Sequence, residues 1–242
     1  MISVSIVSHG HGHLLEKLVL KLLSFNQIQK IILTLNIPEK IKIPSSNRII
    51  IIKNKNIYGF SENHNRAFKY NKSKYFCVLN PDIEFKNNPF PNLISQIEMN
   101  NLSLIAPMIK DINNNIEDSY RKFPTLFDLL LKFFFNYKGI YKSKNKLKNI
   151  FPDWIAGMFM LFDSSVFKKI KGFDSNFFLY YEDVDICIRL KKLKLKIMVD
   201  KNSYVIHDAR RQSRKNIKFF LFHVKSLMLY LKKYLYRLPT NE

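Results

Sequence analysis

Apolar residues recur along the first 110 positions in two alternating patterns. Short runs rich in β-branched and aromatic residues predict five strands, over residues 3–7, 28–35, 48–52, 75–79 and 103–108. Between them, apolar residues at helical spacing predict helices, over residues 14–23, 62–70 and 91–100. Such alternation is typical of a parallel sheet with crossover helices on its faces. The pattern therefore predicts an α/β fold with a mostly parallel central sheet.

The second half of the chain continues this alternation and ends in a basic helix. We expect an apolar helix at 124–137, a lysine-rich loop at 138–149, a strand at 154–162 and a helix at 164–171. A helix at 183–193, strands at 196–199 and 204–206, and a final helix at 213–237 follow. Because no repeat or linker interrupts the chain, we expect one domain over residues 1–209 and a C-terminal basic amphipathic helical tail over 210–242.

Basic residues outnumber acidic ones, 40 to 19, which gives a net charge of +21 over 242 residues. Hydrophobic residues make up 47% of the chain, and this excludes a disordered polycation, which has low hydrophobicity. The charge favours nucleic acid, an anionic membrane surface or a phosphorylated substrate as partner. The abundance of Lys, Asn, Ile and Phe is also typical of an AT-rich genome, which explains part of the charge without a partner.

Cysteine usage and the absence of export signals bear on the compartment. Cys77 and Cys187 lie within apolar runs without CxxC spacing, so we expect buried thiols in a reducing compartment. No signal-peptide pattern opens the chain, and no uncharged apolar run reaches the roughly 18 to 20 residues of a spanning helix. We therefore expect a cytoplasmic protein, with contact to a membrane surface left open.

Polar residues follow several of the predicted strands, at residues 8–13, at Asn36 and at the Asn-Pro-Asp sequence of residues 80–82. Ligands of open α/β sheets bind beyond the carboxyl ends of the strands, so we expect these residues to line one site. The Asp82 carboxylate is suited to a divalent metal that bridges a diphosphate, with Asn80 beside the ligand. A plain turn is the alternative, because Asn-Pro-Asp also starts turns.

Three acids cluster where the predicted helix at 183–193 begins. The helix dipole alone favours acids there, which is the structural explanation. Asp185 lies four residues before Arg189 and predicts an intrahelical ion pair. A carboxylate of Glu182 or Asp183 that faces a cleft is suited to act as a general base.

Histidines are further candidates. His207 ends a predicted strand just before two arginines, which suits either a structural role or a metal–phosphate site. Four others lie in two predicted N-terminal loops, where we favour a lining for a phosphate or base pocket over a metal cluster: His9, His11, His13 and His64.

The segment 57–67 combines Gly59, which permits a tight turn, with the start of a helix. Asn63 and Asn65 are placed to hydrogen-bond a nucleotide or sugar, and plain helix capping is the alternative. Neither GxGxxG nor GxxxxGK[ST] occurs in the chain, which disfavours nicotinamide and P-loop chemistry.

Several of these stretches, in this order, resemble family 2 glycosyltransferases of the GT-A fold, especially the rhamnosyltransferase-like branch of bacterial surface polysaccharide and lipopolysaccharide synthesis. The resemblance covers roughly residues 1–210. The matching stretches are residues 4–8, 56–67 (NIYGFSENHNRA), 78–82 (VLNPD), 154–162 (WIAGMFMLF), 167–174 (FKKIKGFD) and 177–189 (FFLYYEDVDICIR), together with His207.

The resemblance implies an inverting transfer of a sugar from a nucleotide-diphosphate donor to a glycan or polyprenyl-diphosphate-linked acceptor. It implies a divalent cation, Mg²⁺ or Mn²⁺, at Asp82 and His207, and Asp183 as the base with Glu182 beside it. Trp154 and Gly157 match acceptor positions. The positions that it assigns to the donor are Ser8, Asn36, Gly59, Phe60, Asn63, Asn65, Asn80 and Asp82.

Two departures from the family pattern affect recognition of the donor base. The family usually has an acid before the asparagine that follows the second strand, but here Leu35 precedes Asn36. The usual Tyr-Asn after the first strand is replaced by His9-Gly10. A catalytically impaired relative that binds a sugar nucleotide therefore stays open, beside a nucleic-acid-binding protein and a nucleotidyltransferase. No nucleic-acid reader motif and no Gly-rich activating loop occurs, so we expect no nucleic-acid partner.

The tail interleaves basic and apolar residues. This pattern predicts an interfacial amphipathic helix attracted to anionic lipid. The polyprenyl-diphosphate-linked acceptor that the resemblance implies would place this contact at the inner face of the bacterial inner membrane. A core helix with a solvated basic face is the alternative.

Overall fold

A computed structural model describes residues 1–125, 128, 149–207, 217–235 and 237–239. Its strands are β1 (Ile2–Ser8), β2 (Ile28–Leu35), β3 (Ile49–Lys53), β4 (Tyr75–Leu79), β5 (Ile83–Glu84), β6 (Leu102–Lys110), β7 (Tyr120–Arg121), β8 (Trp154–Ile155), β9 (Phe159–Asp163) and β10 (Lys196–His207). Its helices are α1 (His13–Leu23), α2 (Phe60–Phe68), α3 (Phe90–Asn100), α4 (Ser164–Lys169), α5 (Glu182–Lys192) and α6 (Ile217–Tyr234). The helix expected at 124–137 and the lysine-rich loop lie almost entirely outside the described residues.

Eight of the described strands form one sheet in the order β3-β2-β1-β4-β9-β6-β10-β5. The first four are parallel, as are β6 and β10, while β9 and β5 run antiparallel to their neighbours. The predicted mostly parallel sheet is therefore confirmed. Strands such as β4 (YFCVL) are apolar and buried throughout, because helices cover both faces of the sheet. One apolar layer includes α1 and α3, and the other includes α2, α4, α5 and α6.

Two expectations about strand boundaries are wrong. The strand expected at 154–162 is divided, because β8 pairs with β7 in a separate small sheet while β9 joins the main sheet. The strands expected at 196–199 and 204–206 are a single strand, β10, whose register shifts between Asp200 and Tyr204. The two-residue strand β5 was not expected, since a pattern of that length carries no periodicity.

The C-terminal helix α6 packs against the main body of the protein. Tyr230 and Tyr234 are buried in the same apolar layer as α5. The Ser226 hydroxyl donates to the Leu179 carbonyl oxygen (2.8 Å), and the Tyr234 hydroxyl donates to the Asp185 carboxylate (2.6 Å). One face of α6 is therefore part of the core. Across the described residues, no helix combines the length and apolar character needed to cross a membrane.

Candidate active site

The ends of neighbouring parallel strands bring several predicted site residues to one edge of the sheet. β1 ends at Ser8, and Asn36 and Asn80 directly follow β2 and β4. The Asn36 N–H donates to the Ser8 carbonyl oxygen (2.9 Å), and the Asn80 N–H donates to the Met158 carbonyl oxygen just before β9 (2.9 Å). The residues that the sequence analysis expects to line one site therefore do meet at this edge of the sheet.

Asp82 and His207 lie side by side although 125 positions separate them in the sequence. Strand β5 begins at Ile83 and pairs antiparallel with the last residues of β10, where Ile83 lies opposite His207. The distance from His207 Nε2 to Asp82 Oδ2 is 3.3 Å. The short strand β5 therefore explains why these two candidate ligands meet.

Glu117 is a member of this cluster that the sequence analysis missed. Its Oε2 lies 2.8 Å from His207 Nδ1. Burial by itself lowers the pKa of His207, but hydrogen bonds and charge attraction from Asp82 and Glu117 outweigh it and raise the pKa above its ordinary value. Glu117 belongs to no motif in the sequence, so only the structure reveals the contact.

The described residues contain no ready-made group of three or more His, Cys, Asp or Glu side chains able to hold a metal ion. Asp82 Oδ1 is nevertheless buried and lacks a hydrogen-bond partner, and a buried orphan oxygen calls for an explanation. A carboxylate oxygen beside an imidazole nitrogen is a donor set that suits a divalent cation. The residues present therefore fit part of such a site.

Asp183 lies in the first turn of α5, after Tyr180 and Tyr181, which both have left-handed backbone angles (φ 72° and 65°). Its Oδ2 accepts the Gly157 N–H (3.1 Å), and its Oδ1 accepts the Val184 N–H (2.8 Å). Burial raises the pKa of Asp183 to about 6, while these backbone donors act in the opposite direction. Strained backbone at such a position is frequent where a side chain is aimed at a ligand.

Glu182 differs from its neighbour in being 5% exposed, and its Oε2 is buried without a hydrogen-bond partner. Burial, together with the charge of Asp183, raises the pKa of Glu182 well above its ordinary value. Glu182 therefore favours its protonated form more than an ordinary glutamate does. Of the two carboxyl groups, Asp183 is the one that ionises more readily.

Asp185 has the structural role that its spacing predicts. Arg189 Nε donates to Asp185 Oδ2 (2.7 Å). Asp185 Oδ1 accepts from Tyr234 and from Lys233 Nζ (2.5 Å). Asp185 therefore joins α6 to α5, the helix that carries Asp183.

Asn36 and Asn63 direct their amides to the loop before α2. Asn36 donates to the Tyr58 carbonyl oxygen (2.9 Å) and accepts the Tyr58 N–H (3.0 Å). Asn63 donates to the carbonyl oxygens of Tyr58 (3.0 Å) and Gly59 (2.9 Å), and Asn54 donates to both asparagines. In this arrangement the amides hold the loop, and direct contact between Asn63 and a donor stays a prediction.

Asn65 and Gly59 connect α2 to the segment before α5. The Asn65 amide donates to the Phe173 carbonyl oxygen (2.8 Å) and accepts the Phe173 N–H (2.9 Å). A Cβ added at Gly59 would lie 2.3 Å from the Phe178 carbonyl oxygen. The Phe60 N–H donates to the same oxygen (2.7 Å). These contacts keep the start of α2 close to the turn that presents Asp183.

The predicted acceptor residues lie at the break between β8 and β9. Gly157 donates its N–H to Asp183, and a Cβ there would lie 3.0 Å from the Phe60 ring. Trp154 is partly buried and its Nε1 donates to the Lys122 carbonyl oxygen (2.9 Å). Gly157 thus touches the candidate base directly, whereas Trp154 belongs to the small β7–β8 sheet.

His64 is a correction to the sequence analysis. It lies within α2, as the helix expected at 62–70 requires, and not in the loop that the pocket interpretation assumed. It is buried and has Nδ1 2.8 Å from Ser5 Oγ. Burial lowers the pKa of His64 to about 3, so a neutral structural ring replaces the expected pocket lining. His13 is the first residue of α1, whereas the loop after β1 keeps His9 and His11. There Glu39 accepts the N–H groups of Gly10 (3.3 Å) and Gly12 (3.1 Å).

Comparison with known proteins gives consistent matches. The model of glycosyl transferase family 2 matches residues 33–171. Rhamnosyltransferase WbbL of Escherichia coli (strain K12) is 32% identical over 96% of this chain and 93% of its own length. An N-acetylglucosaminyl-diphospho-decaprenol L-rhamnosyltransferase of Mycobacterium tuberculosis (strain H37Rv) is 25% identical over 65% of this chain and 54% of its own.

Solved structures share the fold. GalNAc-T7 with UDP, GalNAc and Mn²⁺ superposes with a TM-score of 0.68 at 16% identity, over 87% of this chain and 43% of that chain. The mannosyltransferase PcManGT of Pyrobaculum calidifontis with GDP-Man and Mn²⁺ gives 0.62 at 9% identity, over 96% of this chain and 64% of that chain. These neighbours confirm the GT-A architecture. By its match to the family model and its likeness to WbbL along nearly the whole chain, the protein belongs to glycosyltransferase family 2.

Proposed function

We propose that this glycosyltransferase moves a deoxyhexose or hexose, with rhamnose as the first candidate, from a nucleotide diphosphate to a glycan acceptor by a single inverting displacement. The observation that carries the proposal is the position of Asp183. Its carboxylate accepts the N–H of Gly157, and the next residue, Met158, accepts the N–H of Asn80. The candidate base and the loop of Asp82 therefore belong to adjoining segments at one sheet edge.

In this proposal Asp183 takes the proton from the acceptor hydroxyl as that oxygen attacks the anomeric carbon. A base works best when its pKa is near the working pH, and the pKa of about 6 makes Asp183 a stronger base than an ordinary aspartate while leaving it ionised at neutral pH. Gly157 and Val184 hold the carboxylate in place through their N–H groups. Burial and the charge of Asp183 raise the pKa of Glu182 and so disfavour a second negative charge beside the base.

Asp82 and His207 are the residues that would hold a divalent cation. The orphaned Asp82 Oδ1 and the adjacent imidazole support this role, and two structural neighbours contain Mn²⁺ with a nucleotide or a nucleotide sugar. When bound, a cation of this kind offsets negative charge on a leaving diphosphate. Asn80 and Ser8, at the ends of β4 and β1, are placed to orient the donor.

The proposed acceptor is a glycan carried on a polyprenyl diphosphate. The name of the mycobacterial relative specifies such an acceptor, and the wider context would be polysaccharide synthesis at the cell envelope. Trp154 and Gly157, at the break before β9, are the residues we assign to the acceptor side.

The outer face of α6 supports contact with the membrane that contains such an acceptor. Five large apolar side chains form an exposed stripe at helical spacing, namely Ile217, Phe220, Leu221, Val224 and Met228. Three exposed lysines follow one side of this stripe, namely Lys218, Lys225 and Lys232. A solvated basic face would not expose so much apolar surface, whereas an interfacial helix requires it. We therefore propose peripheral binding to anionic lipid.

A donor screen followed by a transfer assay tests this function. UDP-, dTDP- and GDP-linked sugars, including rhamnose, are first ranked by thermal shift with Mn²⁺ or Mg²⁺. The best donor is then incubated with a synthetic polyprenyl-diphosphate glycan, and the anomeric configuration of the product is read by NMR. We expect one donor to stabilise the protein and the anomeric configuration to invert.

A second candidate function is sugar-nucleotide binding without turnover. The observation that favours it is Leu35, which stands where the family usually has an acid. Binding of a donor without any product would support this alternative. No stabilisation by any nucleotide sugar would contradict both candidates.

A further inference from the structure

Glu117 is an acid at the site edge to which the proposed transfer gives no task. It lies beyond β6, and its side chain is 18% exposed, close to the 17% of Asp82 and the 11% of His207. A partly covered carboxylate in contact with a candidate ligand needs a physical reason. The role inferred below for Glu117 rests on the function proposed above.

We infer that Glu117 is a positioning residue that holds the His207 ring with its proton on Nδ1, so that Nε2 is presented to the cation beside Asp82. A carboxylate only accepts hydrogen bonds, so the 2.8 Å contact between Glu117 Oε2 and His207 Nδ1 requires the proton to lie on Nδ1. Histidines that bind metals commonly donate their other ring N–H to a carboxylate in this way.

The two contacts of the ring differ in length. The Glu117 contact of 2.8 Å has the length of a charge-assisted hydrogen bond. The contact from Nε2 to Asp82 Oδ2 is longer, at 3.3 Å. A purely structural Glu117–His207–Asp82 chain would also leave Asp82 Oδ1 buried without a partner. A cation that takes Asp82 and Nε2 as ligands accounts for that oxygen.

The backbone fixes Glu117 in this position. Its N–H donates to the Ile109 carbonyl oxygen (2.9 Å), and a β-bridge joins Lys110 to Ile116. Residues 110–117 therefore fold back on the end of β6. Because β6 and β10 are parallel with Ile206 opposite Lys110, this fold-back brings Glu117 alongside His207.

The test compares Glu117→Ala, Glu117→Gln and the neighbouring Asp118→Ala. Asp118 pairs with Arg121, so its removal is a matched control. The ring nitrogens of His207 are followed by ¹⁵N NMR in metal-free protein, at a pH where the ring is neutral. Mn²⁺ affinity in the presence of a nucleoside diphosphate is measured by electron paramagnetic resonance.

We expect wild type and Asp118→Ala to keep the proton on Nδ1, and Glu117→Ala to lose that preference and bind Mn²⁺ about 10- to 100-fold more weakly. Glu117→Gln should recover part of both, since its amide oxygen still accepts from Nδ1, and it provides the test if the alanine variant does not fold. An unchanged ring tautomer and unchanged Mn²⁺ affinity in the folded Glu117 variants would overturn the inference. A wild-type protein that binds no Mn²⁺ would instead refute the metal site of the proposed function. In that case the His207 ring tautomer in the Glu117 variants still tests whether Glu117 holds the proton on Nδ1.

Discussion

Asp183 balances two opposing influences at the scale of a single residue. Burial disfavours its charged form, whereas the N–H groups of Gly157 and Val184 favour it. Glu182, one residue earlier, is buried, and burial together with the charge of Asp183 raises its pKa well above the ordinary value. Two neighbouring carboxyl groups in environments that differ in this way are typical of acid–base sites.

The first prediction concerns the pH dependence of transfer. Protonated Asp183 cannot accept the acceptor proton, so we expect the turnover rate to rise as the pH increases through about 6 and then to level off. The measurement is kcat from about pH 5 to about pH 8, with donor affinity followed in parallel by calorimetry. A turnover rate that falls over this range while donor binding stays constant would contradict the assignment.

The second prediction concerns stability. The pKa of Asp183 is 3.8 in the unfolded chain and about 6 in the folded protein. At a pH below 3.8 the protonated group contributes its full stability to the folded protein, and this contribution is lost as the pH rises through about 6. Asparagine does not ionise, so Asp183→Asn does not lose this stability as the pH rises. We therefore expect the free energy of unfolding of the variant to exceed that of wild type by about 1–3 kcal/mol at neutral or higher pH. Urea unfolding at an acidic and a neutral pH measures the effect. A variant that is less stable than wild type at both pH values would show that the ionised Asp183 carboxylate does not destabilise the folded protein.

At the scale of elements, α6 has two faces with different tasks. Its inner face buries Tyr230 and Tyr234 and is tied to α5 through Asp185. Its outer face carries the exposed apolar stripe. Deleting the helix would therefore damage the core as well as the proposed membrane contact, so substitutions confined to the outer face give a cleaner test.

The third prediction follows from this division. Changing Lys218, Lys225 and Lys232 together to glutamate should weaken binding to anionic vesicles, by about 1 kcal/mol for each lysine removed from the surface. The control changes three exposed lysines elsewhere, Lys17, Lys40 and Lys72, and so alters the net charge equally. Vesicle flotation measures both. Equal loss in the two variants would mean that net charge, and not α6, drives binding.

The elements also show what the sequence alone could predict. The strands β1, β2 and β4 have buried, β-branched and aromatic runs whose pattern is local, and their bounds were predicted to within a residue. At the break between β8 and β9, Gly157 donates its N–H to Asp183, a contact between residues 26 positions apart. The strand β5 depends on pairing with β10. Neither long-range contact leaves a periodic signal.

At the scale of the whole molecule, the sheet order explains how distant residues form one site. Asp82 precedes β5, Glu117 follows β6 and His207 ends β10, and these strands are neighbours in the sheet. The sequence places Asp82 and His207 after strands, which was enough to expect one edge. Glu117 could not be predicted, because its contact arises from the fold-back after β6 and from the register of β6 against β10.

Positive and negative side chains are unevenly distributed over the molecule. The exposed lysines of α6 lie beside apolar surface, while buried acids cluster at the start of α5. This separation of the exposed lysines from the buried acids is consistent with the proposed transferase, which would bind an anionic membrane surface through α6 and a nucleotide diphosphate at the site.

Transfer by Asp183→Asn, compared with wild type, tests the central claim most directly. With the donor chosen by the screen, we expect turnover to fall by about 10²- to 10⁴-fold while the Kd for the donor stays unchanged. Glu98→Gln, an exposed carboxylate that pairs with Lys74, is the matched control and should retain full turnover. Unchanged transfer by Asp183→Asn would contradict the account.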